Sequence, residues 1–322
     1  MKTAQVTGFG GIDQLQIVEV PEPEPGKGEL LIRVKACGLN GSDLLQREGL
    51  YPGGPKPPYF PGLEGAGVVE LHGPEVDGPP IGSAVAFLTS GGAQAGFVVV
   101  KPEACIQLPR ILSFTEGAAF PLQYLTAYHA LTTVAHATPG ETVLIHAAGG
   151  GLGTAAVQLA RMLGLRIAAT ASTPEKRTRI LELGADAVAG YEDFETASRQ
   201  FASSRGPDII LDSVGGDVFG RSLALLPPLG RLLVLGLSSR QTQTIETANL
   251  LFRSKAVLGF HLSAVLERPA LVTASLEQMI NWISQGKIKP QVGHTLPLSA
   301  VREAHELLSS RKSYGKIVLL PD

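Results

Sequence analysis

The stretch over residues 142–161, TVLIHAAGGGLGTAAVQLAR, constrains the fold more than any other part of the chain. A β-branched and aliphatic run ending at His146 leads into four glycines within residues 148–153, then into an alanine-rich segment with apolar residues at helical spacing. The order is strand, tight turn, helix. Glycine lets the backbone come close to a ligand, and the free amides of a helix N-terminus carry partial positive charge, so such a turn suits a dinucleotide's pyrophosphate. The spacing departs from G-x-G-x-x-G: counting from Gly149 the sixth position is Thr154, whereas Ala147, Gly150 and Gly153 fit a variant. Taken alone, the segment also reads as a glycine turn with no ligand.

The next strand favours the ligand. An acid that would hold free ribose hydroxyls belongs about 20 residues on, yet this strand ends Ala168-Ala169-Thr170-Ala171-Ser172-Thr173, with no Asp or Glu. Ser172 is followed by Lys176 and Arg177, a hydroxyl and two cations suited to the extra phosphate of NADPH. NADPH is therefore the expected cofactor. Glu175, between strand and cations, reads as a first-turn acid favoured by the helix dipole.

At 322 residues the chain predicts two domains on a prior of about 150 each. A formal charge of -2 with 17% charged residues gives no basic tract for nucleic acid. The N-terminus MKTAQVTGFGG has no apolar stretch for a signal peptide or membrane span, and Cys37 and Cys105 read as free thiols. A cytoplasmic protein without membrane partners is expected.

The first part of the chain reads as β-rich. Residues 30–36 alternate, with Ile32, Val34 and Ala36 on one face and Arg33 and Lys35 on the other; residues 68–71, 84–88 and 97–100 are further short strands between glycines and prolines. From about Ala118 helices and strands alternate: helix 120–131, strand 166–170, helix 174–183, strand 209–212, helix 219–226, and strands 231–235 and 256–260. This pattern predicts an α/β fold with a doubly wound parallel sheet. A helix over 271–283 around Trp282, a short helix over 300–309 and a strand over 316–320 are expected to pack back on the first domain. The boundaries expected are 1–119 with 263–322, and 120–262. Strand 256–260 falls at an edge of the sheet, which predicts a homodimer.

With both halves placed, the chain resembles the medium-chain dehydrogenase/reductase superfamily, and within it the zinc-independent, zeta-crystallin-like quinone oxidoreductases. The stretches GLNGSDLLQREGLYP, PGLEGAGVV, GGAQAGFVVV, LTAYHAL, VLIHAAGGGLGTAAVQLARMLG, LDSVGG and YGKIVL carry the likeness, most of all to the p53-inducible branch. That branch has a serine in its glycine turn where this chain has Gly150. The resemblance implies a GroES-like catalytic domain and a Rossmann domain. Where zinc alcohol dehydrogenases of the superfamily read C-G-x-C-x-x-D, this chain has Asn40 for the second cysteine, and where they read G-H-E it has Gly62-Leu63-Glu64. No four-cysteine lobe exists and the seven histidines form no H-x-x-x-H pair, so no metal is expected.

The chemistry that fits is hydride transfer from NADPH to an electrophilic conjugated carbonyl, a small-molecule quinone or enone. The resemblance places Asn40, Asp43 and Tyr51 on the substrate side and, of Gln123 and Thr126 at the start of the helix near the domain junction, puts Thr126 close to the nicotinamide. For the cofactor the glycine turn supplies Gly150, Gly151, Leu152 and Gly153 and the next strand end Ser172 and Lys176, and the resemblance adds Asn40 and Thr126. It further implies Tyr191 beside the adenine, Val214, Leu237, Ser238, Phe260, Leu262 and Lys316. Asp43 also reads as a buried carboxylate holding its loop. The alternatives are an enone or enoyl-thioester double-bond reductase and, from another class, a crystallin-like or RNA-binding protein, which the intact phosphate turn and the missing basic patch disfavour.

Overall fold

The structure is a computed structural model that describes residues 1–321. The chain divides into two compact units, the first formed by Met1–Leu122 with the chain from Lys289, the second by Gln123–Ile288.

The first unit begins with the antiparallel pair β1 (Lys2–Val6) and β2 (Leu15–Glu19). Then come β3 (Leu30–Leu39), helix α1 (Gly41–Glu48), β4 (Glu64–His72), β5 (Ala84–Leu88), β6 (Phe97–Val100), β7 (Cys105–Gln107) and the short α2 (Phe114–Gly117). Period-two alternation drives β3 as its sequence predicts: Ile32 and Val34 are buried while Arg33 and Lys35 are exposed. Helix α3 (Pro121–His129) starts at the end of this unit and continues as a π-helical turn over Ala130–Val134.

The second unit alternates strand and helix. It runs β8 (Thr142–Ile145), α4 (Gly151–Met162), β9 (Arg166–Thr170), α5 (Pro174–Leu183), β10 (Ala187–Ala189), α6 (Phe194–Phe201), β11 (Ile209–Asp212), α7 (Asp217–Leu225), β12 (Arg231–Val234), α8 (Thr247–Arg253) and β13 (Ala256–Gly259). Two helices follow, α9 (Ser263–Leu266) and α10 (Pro269–Ser284). The six strands are parallel in the order β10-β9-β8-β11-β12-β13, so the strand order reverses at β8. That reversal is where doubly wound sheets bind dinucleotides, beyond the carboxyl ends of the strands. Leu144, Ala168, Ile210 and Leu232 from adjacent strands pack with Phe194 and Phe219 of the covering helices.

The chain then returns to the first unit with β14 (Val292–Pro297), α11 (Val301–Ser309) and β15 (Lys316–Leu320). β15 pairs antiparallel with β3, completing a sheet of order β14-β15-β3-β4-β5-β7 with β6 also on β3. Ile32, Val34, Val69, Phe87, Ile317 and Leu319 belong to its core, and burying such a side chain contributes roughly 1.5–3 kcal/mol. The tail returns to this unit only from Lys289. Residues 263–288, expected with the first domain, fall in the second unit, and residues 120–122 in the first. Helix α10 buries Met279 and Ile283, and its Ser275 bonds His129 of α3 at 3.1 Å, which ties it to the second unit. Among the described residues no helix is long and apolar enough to cross a membrane.

Candidate active site

The glycine turn of the second unit forms as its sequence predicts. β8 ends at Ile145, and His146 donates its amide to Leu211 O at 3.0 Å, still in the sheet. Ala147 takes a left-handed conformation, φ +51°. Its N–H faces Thr170 Oγ1 at 3.3 Å and Tyr191 Oη at 3.1 Å, which hold the chain in that conformation. Helix α4 begins after Gly150 with no side-chain cap, and Thr154 N–H makes its first bond, to Gly150 O at 2.9 Å. The amides of Gly151, Leu152 and Gly153 precede that bond and have no acceptor inside the helix. A Cβ on Gly153 would lie 2.4 Å from Ala148 Cα, so this glycine permits the close approach of helix to turn; a Cβ on Gly150 would meet nothing nearer than Ala147 O at 3.5 Å. The cradle has the shape and polarity for a pyrophosphate.

Behind the turn lies a buried imidazole. His146 Nδ1 faces Thr170 Oγ1 at 3.0 Å and Nε2 faces Ser222 Oγ at 2.8 Å, while the ring stacks on Tyr191 at 6.3 Å and meets Phe194 edge-on at 4.9 Å. Burial, reinforced by the Arg221 charge, depresses its pKa to about 3, so it stays neutral and serves as a polar brace. Arg221 bonds Tyr191 O at 2.8 Å and pairs with Glu195, which fixes the loop carrying Tyr191. Thr170, His146 and Arg221 thus support the candidate site, whereas in the sequence alone His146 reads only as a packed histidine.

The other candidates of this unit follow the carboxyl ends of its strands. Ser172 lies beyond β9, Tyr191 beyond β10, Val214 beyond β11, Leu237 and Ser238 beyond β12, and Phe260 and Leu262 beyond β13. Ser172 and Ser238 are exposed, Tyr191, Leu237 and Phe260 half-buried, and Val214 and Leu262 buried. Asp212 Oδ1 accepts the amides of Val214 at 2.7 Å and Gly215 at 3.0 Å, shaping the turn after β11; burial raises its pKa. Thr173 caps α5 by accepting the Lys176 amide at 3.3 Å. The Lys176 stem packs over the glycine turn, its Cδ 3.2 Å from where a Gly149 Cβ would stand, and partial burial lowers its pKa. Arg177 instead reaches Gly190, its Nη1 3.0 Å from a Cβ placed there. Glu175 is exposed and its pKa is lowered by its own backbone hydrogen bond and the Thr173 hydroxyl, which agrees with a helix-capping acid. Gln123 and Thr126 share one face of α3, three residues apart, the first buried and the second half-buried.

In the first unit the side chains of Asn40, Glu64 and Lys316 meet, and Asp43 of α1 joins them through the Asn40 backbone. Asn40, the N-cap residue of α1, donates its amide to Asp43 Oδ2 at 2.8 Å. Asn40 Oδ1 accepts from Lys316 Nζ at 2.6 Å, and Nδ2 donates to Gly38 O at 3.3 Å and Glu64 Oε1 at 3.1 Å. The two hydrogens of the Asn40 amide are engaged within the protein, so this side chain holds the site together and does not offer a free donor. Lys316, expected at the cofactor, is only 2% exposed with its ammonium 2.5 Å from Glu64 Oε1, because a buried cation requires a counter-ion. Glu64 is a further site residue, which the sequence shows only as the last letter of a motif. The signal for it is present all the same: a lone acid in GLEGAGVV and a lone cation in YGKIVLL, each in an apolar strand, need one another.

Asp43 is buried, and desolvation, with the Glu64 charge, raises its pKa to about 6 against the opposing Asn40 amide and Lys316. Tyr51 is half-buried on the loop after α1, its pKa raised by burial and then by Asp43. Burial also pushes the Cys37 thiol up, and Cys105 to about 12, which keeps both thiols protonated at neutral pH.

Comparison with known proteins agrees with both units. The alcohol dehydrogenase GroES-like domain family matches residues 26–110 and the zinc-binding dehydrogenase family residues 183–319. The human synaptic vesicle membrane protein VAT-1 homolog-like is 35% identical over 99% of this chain and 80% of its own length. Human quinone oxidoreductase is 33% identical over 99% of this chain and 98% of its own. The quinone oxidoreductase of Thermus thermophilus, solved also in complex with NADPH, is 39% identical with a TM-score of 0.87, covering 99% of this chain and all of that one. The zinc in one family's description does not fit this donor set: an amide and an aliphatic side chain stand at Asn40 and Leu63. Among the described residues no three His, Cys, Asp or Glu side chains group to hold a metal. The chain belongs to the medium-chain dehydrogenase/reductase superfamily, among its quinone oxidoreductase-like members.

Proposed function

We propose that this oxidoreductase reduces quinones, or similarly conjugated carbonyls, with NADPH. The observation that carries the reading is the uncapped α4 N-terminus at the point where the strand order reverses, with the Lys176 stem folded over its glycine turn. The amides of Gly151, Leu152 and Gly153 would hold the pyrophosphate, and Lys176 with Ser172 the 2′-phosphate. Tyr191, braced by His146 and Arg221, would flank the adenine. Val214, Leu237, Ser238, Phe260 and Leu262 would shape the remaining walls, and Gln123 and Thr126 would orient the nicotinamide end. When bound, the cofactor supplies hydride to the acceptor carbonyl. Tyr51 would donate a hydrogen bond to the acceptor oxygen as negative charge grows there. Asp43, whose pKa burial raises to about 6, can carry a proton at pH 6 and below. The reading extends to a homodimer formed along the free edge of β13.

The test is metal-free NADPH oxidation with 9,10-phenanthrenequinone, 1,4-benzoquinone, a 2-alkenal and an enone, repeated with NADH and with Lys176→Ala. Fast quinone turnover is expected with NADPH, and the variant should weaken NADPH by about tenfold or more while NADH changes little, since only the 2′-phosphate loses its partner. Turnover confined to the enones would move the protein to double-bond reduction, and equal losses for both cofactors would remove Lys176 from its assigned role.

A further inference from the structure

A buried ion pair adds little to stability, because desolvation of two charges offsets most of their attraction. The pair of Lys316 and Glu64, 2% and 0% exposed, is better understood by what it holds. An ammonium can only donate, so Lys316 Nζ, 2.6 Å from Asn40 Oδ1, fixes which way the Asn40 amide faces. Glu64 Oε1 takes the ammonium and Asn40 Nδ2, while Oε2 accepts the Leu122 N–H at 2.9 Å in the first turn of α3. One ammonium and one carboxylate therefore join the end of β3, the start of β4, β15 and the beginning of α3. Gly38 makes room for them: a Cβ there would stand 2.6 Å from Lys316 Cε. Asn40 N–H goes on to Asp43 Oδ2, so the start of α1 depends on the same joint.

We propose that Lys316 is a positioning residue whose buried ammonium, with Glu64, sets Asn40 and the first turn of α3 and thereby the geometry of the acceptor-side residues Asp43 and Tyr51. The inference rests on the reading of those residues as acceptor-side.

The full-length protein with Lys316→Met is compared with Lys316→Met/Glu64→Leu, which replaces the pair by apolar groups of similar volume. Hydrogen exchange is followed by mass spectrometry without cofactor or acceptor, then quinone kinetics and NADPH binding. Exchange over residues 40–44 and at Leu122 should quicken at least about tenfold in both variants, the quinone KM should rise about tenfold, and the NADPH Kd, set chiefly at the glycine turn and Lys176, should change by less than the KM does. The double variant should regain thermal stability, because no unpaired buried charge remains, yet keep the fast exchange and the raised KM. Recovery of KM and exchange together with stability would overturn the proposal, as would a single variant with unchanged exchange and KM. If the single variant does not fold, the double variant carries the comparison. A wild-type protein that reduces no quinone would refute the functional reading, and the exchange data would then judge the joint alone.

Discussion

Asp43 Oδ2 accepts the Asn40 backbone N–H at 2.8 Å, and the Gly62 backbone N–H also favours the charged carboxylate. Desolvation by burial outweighs these donors, so the pKa rises to about 6 from an ordinary value of 3.8. The folded state therefore binds this proton more tightly than the unfolded chain. The resulting stability is complete below the ordinary value and is lost as pH rises through 6. From pH 8 to pH 5 the gain amounts to about 1 kcal/mol. Asp43→Asn keeps an acceptor for Asn40 but cannot titrate, so urea unfolding at the two pH values should show a smaller change than the wild type by about that amount. An identical pH response in both proteins would mean that Asp43 does not titrate abnormally. At this scale the sequence is legible in type more than in role. Asn40, Asp43 and Lys316 stand out as polar residues in apolar surroundings, but which side chain satisfies which depends on β3, β4 and β15 meeting in one sheet, across 276 residues in the case of Asn40 and Lys316.

The elements most clearly legible are those whose local chemistry is self-sufficient. Helix α5 starts at Pro174 and ends at Leu183 as expected, because Thr173, Pro174 and Gly184 supply a cap, a first-turn proline and a left-handed stop. Strands β1 and β2 and helix α1 are not evident from sequence; β1 and β2 are five residues each and gain their order from pairing, and α1 is a polar octamer fixed by its Asn40 cap and Asp43. The glycine turn separates two kinds of glycine that a motif treats alike. At Gly153 an added methyl meets backbone at 2.4 Å. Gly153→Ala should therefore destabilise the second unit by about 2 kcal/mol, as overpacking does. At Gly150 the same methyl fits the apoprotein. Gly150→Ala should unfold within about 0.5 kcal/mol of wild type. It should nevertheless bind NADPH at least about tenfold more weakly, because the methyl fills the cradle. Thermal melts with and without NADPH compare the two. A Gly150→Ala protein with full affinity would place the pyrophosphate elsewhere.

Across the whole molecule, the alternation of strand and helix is enough to expect the doubly wound sheet, and the observed strand order is of that kind. The extent of each unit is not legible to the same degree: α10 is amphipathic, and an amphipathic helix does not state which core it covers. Association belongs to this scale too. Among the described residues β13 pairs with β12 on one side only, its sequence AVLG carries no charge or proline to block the other edge, and the adjoining α8 leaves Leu251 72% and Phe252 83% exposed. Leu229, 79% exposed, joins them through the hydrogen bond that its backbone N–H donates to Ser254 O. An unguarded strand edge bordered by apolar side chains would match a second copy of itself about a two-fold axis, where each β13 would supply the hydrogen-bond partners that the other lacks. Light scattering at micromolar concentration should therefore give about twice the 33.7 kDa of one chain. Leu251→Asp/Phe252→Asp, which puts like charges in the contact, should shift the species toward one chain while the circular dichroism stays unchanged. A wild-type protein that scatters as a monomer would leave the β13 edge and its apolar border without the partner inferred for them.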